Sequence, residues 1–177
     1  MKKGLPAWAK LALIALVAGL LLGFTNELTA PAIAAQNEMQ AEAARRAVLP
    51  QAEDFEPLQA QAGAGVDACF AGKSGGALAG YVATVTTKGY GGEIEVTVGM
   101  GVDGAITGIS VGGANFSETM GLGARTRDPE FTGQFQGLKA PLTLNQDVDA
   151  ITSATISSNA VVGAVNAACA YMEGLLG

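Results

Sequence analysis

Asp149-Ala150-Ile151-Thr152-Ser153-Ala154-Thr155 places a carboxylate and three hydroxyls just ahead of a segment with helical periodicity. In that segment, from about Ile156 to Glu173, Val161, Val162, Val165 and Ala168 fall on one face. A helix start presents unpaired N–H groups and the positive end of a dipole. Small residues such as Ser153 and Ala154 let an anion approach that backbone, so the stretch is suited to holding a phosphate. The same residues also read as a plain N-cap. Two more stretches could border a ligand, Lys88-Gly89-Tyr90-Gly91-Gly92 and Ser117-Glu118-Thr119-Met120-Gly121-Leu122-Gly123. Each alone is a glycine turn or a polar loop. In both, glycine permits close backbone approach to a flat ligand, and Leu122 offers an apolar face for a ring.

Composition removes much of the usual catalytic repertoire. The chain has no His, which excludes a His general base, a Ser-His-Asp triad, and haem or zinc held by His. Cys69 and Cys169 form no C-x-x-C and are too few for an iron–sulfur cluster, which takes four thiolates. They either pair as one disulfide in an oxidising compartment or lie buried as free thiols. The net charge of −6, with no basic face in the sequence, argues against nucleic acid as a partner. No metal site is expected, and redox chemistry would come from a bound organic cofactor.

The elements that must position these residues are few. The 177 residues have room for one domain and an anchor. Leu11 to Phe24 carries no polar side chain; extended to Ala7 and Thr25, the run makes about 28 Å of helix, close to the ~30 Å hydrocarbon core. Trp8 sits where an interfacial aromatic belongs, and Lys10 can snorkel. A cleaved signal peptide ending near Ala30-Pro31-Ala32-Ile33-Ala34-Ala35 is the alternative, and Pro31 disfavours it. Lys2, Lys3 and Lys10 precede the span and no Lys or Arg follows before Arg45. The positive-inside rule therefore expects a cytoplasmic N-terminus and an extracytoplasmic domain. Gln36 to Leu49 is expected to continue outward as a helix, with Glu42 placed to pair with Arg45 and Arg46, and to stop at Pro50. Gln51 to Gly65 reads as a connector. Strands are expected over Ala77–Thr87, Glu93–Gly99 and, after an Asp103-Gly104 turn, Ala105–Val111. A short helix is expected over Thr126–Phe135 before the final helix. The expected organisation is thus 1–26 N-terminus and transmembrane helix, 27–65 juxtamembrane helix and connector, and 66–177 an α+β domain with an antiparallel sheet and a C-terminal helix.

The Asp149–Thr155 stretch resembles the D-x-x-[ST]-G-A-T flavinylation motif of the FMN-binding domain family found in RnfG and NqrC. That family also carries a G-Y-G-G turn, a hairpin with a D-G-type turn and an E-T-P-G-L-G loop, in the order found here between Lys88 and Ser158. Two positions depart from the pattern: Ser153 stands for Gly and Met120 for Pro. Arg45-Arg46-Ala47-Val48-Leu49-Pro50 is also similar to the family's helix end. The resemblance implies FMN joined through its phosphate to Thr155. Asp149, Thr152, Ser153 and Ala154 would shape or present the attachment loop, and Tyr90, Gly91, Glu118, Thr119, Leu122 and Gly123 would border the flavin. It further implies an RnfG-type electron-carrying subunit of a membrane-bound, ion-translocating ferredoxin:NAD oxidoreductase complex, rather than a complete enzyme. Its partners would be the complex's other membrane and peripheral subunits, with a flavin transferase for maturation. An NqrC-like protein, a stand-alone membrane-anchored extracytoplasmic flavoprotein and a structural subunit without flavin are the alternatives.

Overall fold

A computed structural model describes residues 6–59 and 65–176. The chain divides into two units, Met1–Gln40 and Ala41–Gly177. Helix α1, Ala7–Val48, is a single uninterrupted helix that carries the whole of the first unit's described structure and ends in the second. Its most apolar 18-residue window has a mean hydropathy of 2.1 and is not buried at all. It is long and apolar enough to cross a membrane. Pro31 lies inside it, where it removes one i→i−4 hydrogen bond. The expected Met1-Lys2-Lys3 start lies outside the described residues.

The second unit is built on a five-stranded antiparallel meander in the order β1-β2-β3-β4-β5. The strands are β1 Asp54–Leu58, β2 Ala68–Ser74, β3 Ala77–Lys88, β4 Glu93–Gly101 and β5 Ile106–Gly112. β3 and β4 are the spine of the sheet. Val85 opposes Val96 across it, and the Thr84 and Thr97 hydroxyls meet at 3.2 Å. After β5 come a 3-10 turn (Gly123–Arg127), the one-turn helix α2 (Pro129–Thr132), a second 3-10 turn (Gly133–Phe135) and the long helix α3, Thr155–Leu176. The helix expected over Thr126–Phe135 is thus broken into three pieces, with Pro129 fixing the start of the middle one.

Alternation in β4 aims Ile94, Val96, Val98 and Met100 at one face, where all four are fully buried. On that face α3 contributes Val161, Val165, Ala168 and Met172, spaced three or four residues apart and wholly buried. Phe135 and Phe131 close one end of this core edge to face, with centroids 5.5 Å apart. A smaller cluster, Val48, Leu49, Ala52 and Val82, gathers the last turn of α1 on the sheet. Glycines make room for it: a Cβ on Gly99 would overlap the Val48 carbonyl oxygen, and one on Gly72 would overlap Leu49 Cδ2. Thr107 Oγ1 donates to the Val48 carbonyl, and the Arg45 guanidinium lies 4.4 Å from the Phe70 ring centroid. The expected Glu42–Arg46 pair is present at 2.9 Å.

Two strands were absent from the sequence expectation. β1 lies within the expected connector, of which residues 60–64 are outside the described residues. It carries Pro57, has no buried residue and forms the sheet's edge. β2, Ala-Cys-Phe-Ala-Gly-Lys-Ser, has no β-branched residue and strays from strict alternation.

Candidate functional site

The Asp149–Thr155 loop is held by side chains reaching in from both directions. The Asp149 N–H donates to Gln134 Oε1 at 2.7 Å, and Gln134 Nε2 donates to the Asp149 carbonyl at 3.5 Å. The Ala150 N–H donates to Asn145 Oδ1 at 3.3 Å. Ser158, from the first turn of α3, is wholly buried: its Oγ accepts from the Ile151 N–H at 3.1 Å and donates to the Ala154 carbonyl at 3.0 Å. Ala154 N–H closes the turn on the Ile151 carbonyl at 2.9 Å. Between these anchors Ser153 takes φ +64°, the left-handed region that Gly enters freely and other residues enter at a cost.

α3 begins at Thr155 itself, one residue earlier than expected, so the exposed Thr155 hydroxyl stands on the helix's first residue. The Ser158 N–H is on the Ala154 carbonyl at 2.9 Å. The N–H groups of Thr155, Ile156 and Ser157 come before it, at the positions a helix leaves without an internal partner. All three residues line a cavity of about 430 Å³, within the ~300–1,000 Å³ of small-molecule sites. Ser153 and Ala154 complete that wall. A second wall is Tyr90, from the turn between β3 and β4. The third is Glu118, Thr119, Leu122 and Gly123. Tyr90 (73% exposed), Ile156 (57%) and Leu122 (40%) offer apolar surface at this opening.

Not every expected residue lines that cavity. Asp149 and Thr152 line a smaller one, about 220 Å³, together with Arg125, Glu130 and Gln134. There Arg125 reaches Asp128 at 3.5 Å and Glu130 at 3.3 Å. The Asp149–Thr155 stretch therefore has two faces, Ser153–Thr155 on one cavity and Asp149–Thr152 on the other. Gly91 does not line either. Its N–H donates to Glu118 Oε1 at 3.0 Å, and a Cβ there would come within 2.6 Å of the Ser117 carbonyl oxygen. The close approach that its glycine permits is thus to Ser117. Ile156 was expected only as the helix start whose N–H groups would hold a phosphate, and Ser157 and Gln134 were not among the expected site residues. The only sequence signal was an apolar Ile at an otherwise polar helix start.

Cys69 and Cys169 are free and buried in the main core. Desolvation pushes the Cys69 thiol up to about 11 and, with the Glu173 charge adding to it, the Cys169 thiol to about 12. Both stay protonated and unreactive near neutral pH. Among the described residues no group of three or more His, Cys, Asp or Glu is placed to hold a metal ion.

Residues 89–170 match the FMN-binding domain family. The chain is 36% identical to the G subunit of the Na(+)-translocating ferredoxin:NAD(+) oxidoreductase complex of Acetobacterium woodii, across 86% of this chain and 84% of that one. It is 39% identical to the G subunit of the ion-translocating oxidoreductase complex of Methanosarcina acetivorans, across 90% and 89%. The crystal structure of the C subunit of the Na(+)-translocating NADH-quinone reductase from Parabacteroides distasonis superposes with a TM-score of 0.52 at 20% identity, covering 62% of each chain, a likeness of fold. By its sequence over most of its length, this chain belongs to the RnfG family, the G subunits of Rnf-type ion-translocating oxidoreductase complexes, and its folded domain is an FMN-binding domain.

Proposed function

We infer that this chain is the membrane-anchored, electron-carrying FMN subunit of an Rnf-type ion-translocating ferredoxin:NAD oxidoreductase complex, with FMN joined by a phosphoester to Thr155. The observation that carries this reading is the position of Thr155: an exposed hydroxyl on the first residue of α3, at the wall of a cavity bordered by Tyr90, Leu122 and Ile156. The residues fit the group. The first-turn N–H groups and the helix dipole suit its phosphate, and the apolar surfaces of Leu122, Tyr90 and Ile156 suit a flat ring. Bound FMN supplies reversible electron transfer. The protein's part is to hold it at a fixed place and to leave one edge open toward a partner.

Attachment needs a separate flavin transferase, with FAD as donor, because a Thr hydroxyl does not open a phosphoanhydride unaided. Thr155 Oγ gives up its proton and becomes the bridging oxygen, and AMP is the leaving group. The local structure favours Thr155 over two of its neighbours: Ser157 and Ser158 are 1% and 0% exposed, and both hydroxyls are already engaged. Asp149 and Thr152, turned to the second cavity, are suited to recognition by the transferase. The other membrane and peripheral subunits of the complex would be the electron partners.

Peptide mass spectrometry of the native protein is the test. FMN-phosphoryl mass is expected on Thr155, with loss of SDS-stable flavin fluorescence in Thr155→Ala. The same mass on Thr152, Ser153, Ser157 or Ser158 would refute the site. No added mass anywhere would point to a structural subunit without flavin.

A further inference from the structure

Glu118 is 7% exposed, among few buried polar side chains in the domain, and both its oxygens are occupied. Oε1 accepts from the Gly91 N–H at 3.0 Å and Oε2 accepts from the Ser157 hydroxyl at 2.9 Å. These partners lie 27 and 39 residues away in the chain. They connect Glu118 to the other two walls of the cavity: Gly91 directly follows the wall residue Tyr90 in the β3–β4 turn, and Ser157 is in the first turn of α3. One carboxylate therefore ties all three walls together. Its surroundings are shaped to it. A Cβ on Gly89 would overlap Oε1, and one on Gly123 would overlap Oε2 and come within 2.8 Å of Ser157 Oγ. Neither glycine has a positive φ, so their size answers to space: Gly123 leaves room for Glu118 and Ser157, and Gly89 for Glu118 and Ile94, whose Cδ1 would lie 2.5 Å from the added Cβ. Ser117 adds to the hold: its Oγ donates to the Gly91 carbonyl at 3.3 Å.

We propose that Glu118 is a positioning residue, a clamp that holds the Tyr90 turn and the start of α3 at the separation the flavin ring requires. The part concerning flavin rests on the proposed FMN site; the clamp itself does not. Both partners donate, so the carboxylate is used purely as an acceptor. This gives the conservative variant a defined outcome. In Glu118→Gln the amide oxygen can still accept from Gly91, and the amide N–H₂ can donate to Ser157 Oγ, whose proton is free to turn away. Glu118→Ala has neither option and leaves the Gly91 N–H without an acceptor.

The test uses the full-length chain in detergent, as wild type, Glu118→Ala, Glu118→Gln and Ser157→Ala. Amide hydrogen exchange in segments 89–92 and 155–158 is read together with the fluorescence anisotropy of the attached flavin. Glu118→Ala should raise exchange in segment 89–92 roughly tenfold or more, and lower the anisotropy of the flavin that is attached. Glu118→Gln should restore both. Ser157→Ala, which removes one of the two bonds, should raise exchange to an intermediate level, and it carries the test if Glu118→Ala does not fold. Unchanged exchange in Glu118→Ala or Ser157→Ala would overturn the clamp. So would a folded Glu118→Gln that behaves like Ala. Wild-type protein without flavin would refute the FMN reading instead, and the exchange measurements would still decide the clamp.

Discussion

At the scale of single residues the Asp149–Thr155 loop shows a local conflict with an identifiable cause. Ser153 sits at φ +64°, at the position where the similar motif has Gly. Its neighbours fix it there: Ala154 N–H on the Ile151 carbonyl, and the buried Ser158 hydroxyl between Ile151 and Ala154. The loop cannot relax without giving up those bonds. Ser153→Gly should therefore be tolerated, with the native strain of about 1 kcal/mol relieved. Gly also enlarges the freedom of the unfolded chain, by a term of similar size. The expected outcome is a melting temperature within a few degrees of wild type, and unchanged flavin attachment. Ser153→Val, which adds β-branching at the same φ, should lower both. A Val variant as stable as wild type would mean that the loop takes another conformation in solution. The sequence pointed to this position through the resemblance, while the strained angle itself depends on Ser158, five residues on and within the helix.

Among the elements, the sheet and α3 carry the stability. Phe135 is wholly buried at the end of the core, edge to face with Phe131. Phe135→Ala should cost about 3–5 kcal/mol in chemical denaturation, through lost transfer energy and the cavity left behind. A cost under about 1 kcal/mol would place that ring outside the packed core. Glu95, on β4, gives an element-scale pH dependence. Burial first, and the Asp67 charge second, raise its carboxyl from the ordinary 4.5. A carboxyl raised in the folded state contributes stability below its unfolded value and loses it as pH rises through the folded one. Glu95→Gln should accordingly match wild type in acid and gain melting temperature over it toward neutral pH. An advantage independent of pH would rule out this cause. β3, β4, β5 and α3 were legible because each alternates or repeats over one buried face. β1 and β2 were not, since neither has that pattern: β1 is an exposed edge holding Pro57, and β2 has no β-branched residue and departs from strict alternation between β1 and β3. Tyr90, Leu122 and Thr155 were legible as motif residues. That Glu118 braces them was not, because its bonds span 27 and 39 residues and leave no local pattern.

For the molecule as a whole, function turns on which side of a membrane the FMN domain occupies. α1 carries an apolar window of mean hydropathy 2.1 with no part of it buried, and its large side chains from Trp8 to Phe24 are solvent-exposed. Such a surface is stable only against lipid or a partner. Lys2, Lys3 and Lys10 lie on its N-terminal side, while Arg45 and Arg46 are the first positive charges after it. Those two arginines belong to the folded domain: Arg45 lies over Phe70 and Arg46 pairs with Glu42. The loop charges that decide orientation are then all N-terminal, and the acidic remainder of the chain offers little to retain it in the cytoplasm. A reporter that is active only after export, fused after Gly177, should be active in intact cells, and one active only in the cytoplasm should be silent at the same point. The opposite pattern would reverse the orientation and put the flavin on the cytoplasmic side. Replacing Lys2, Lys3 and Lys10 together with Gln should weaken the bias and yield a mixed population. An unmoved topology in that triple variant would assign orientation to the translocation of the domain itself rather than to the flanking charges.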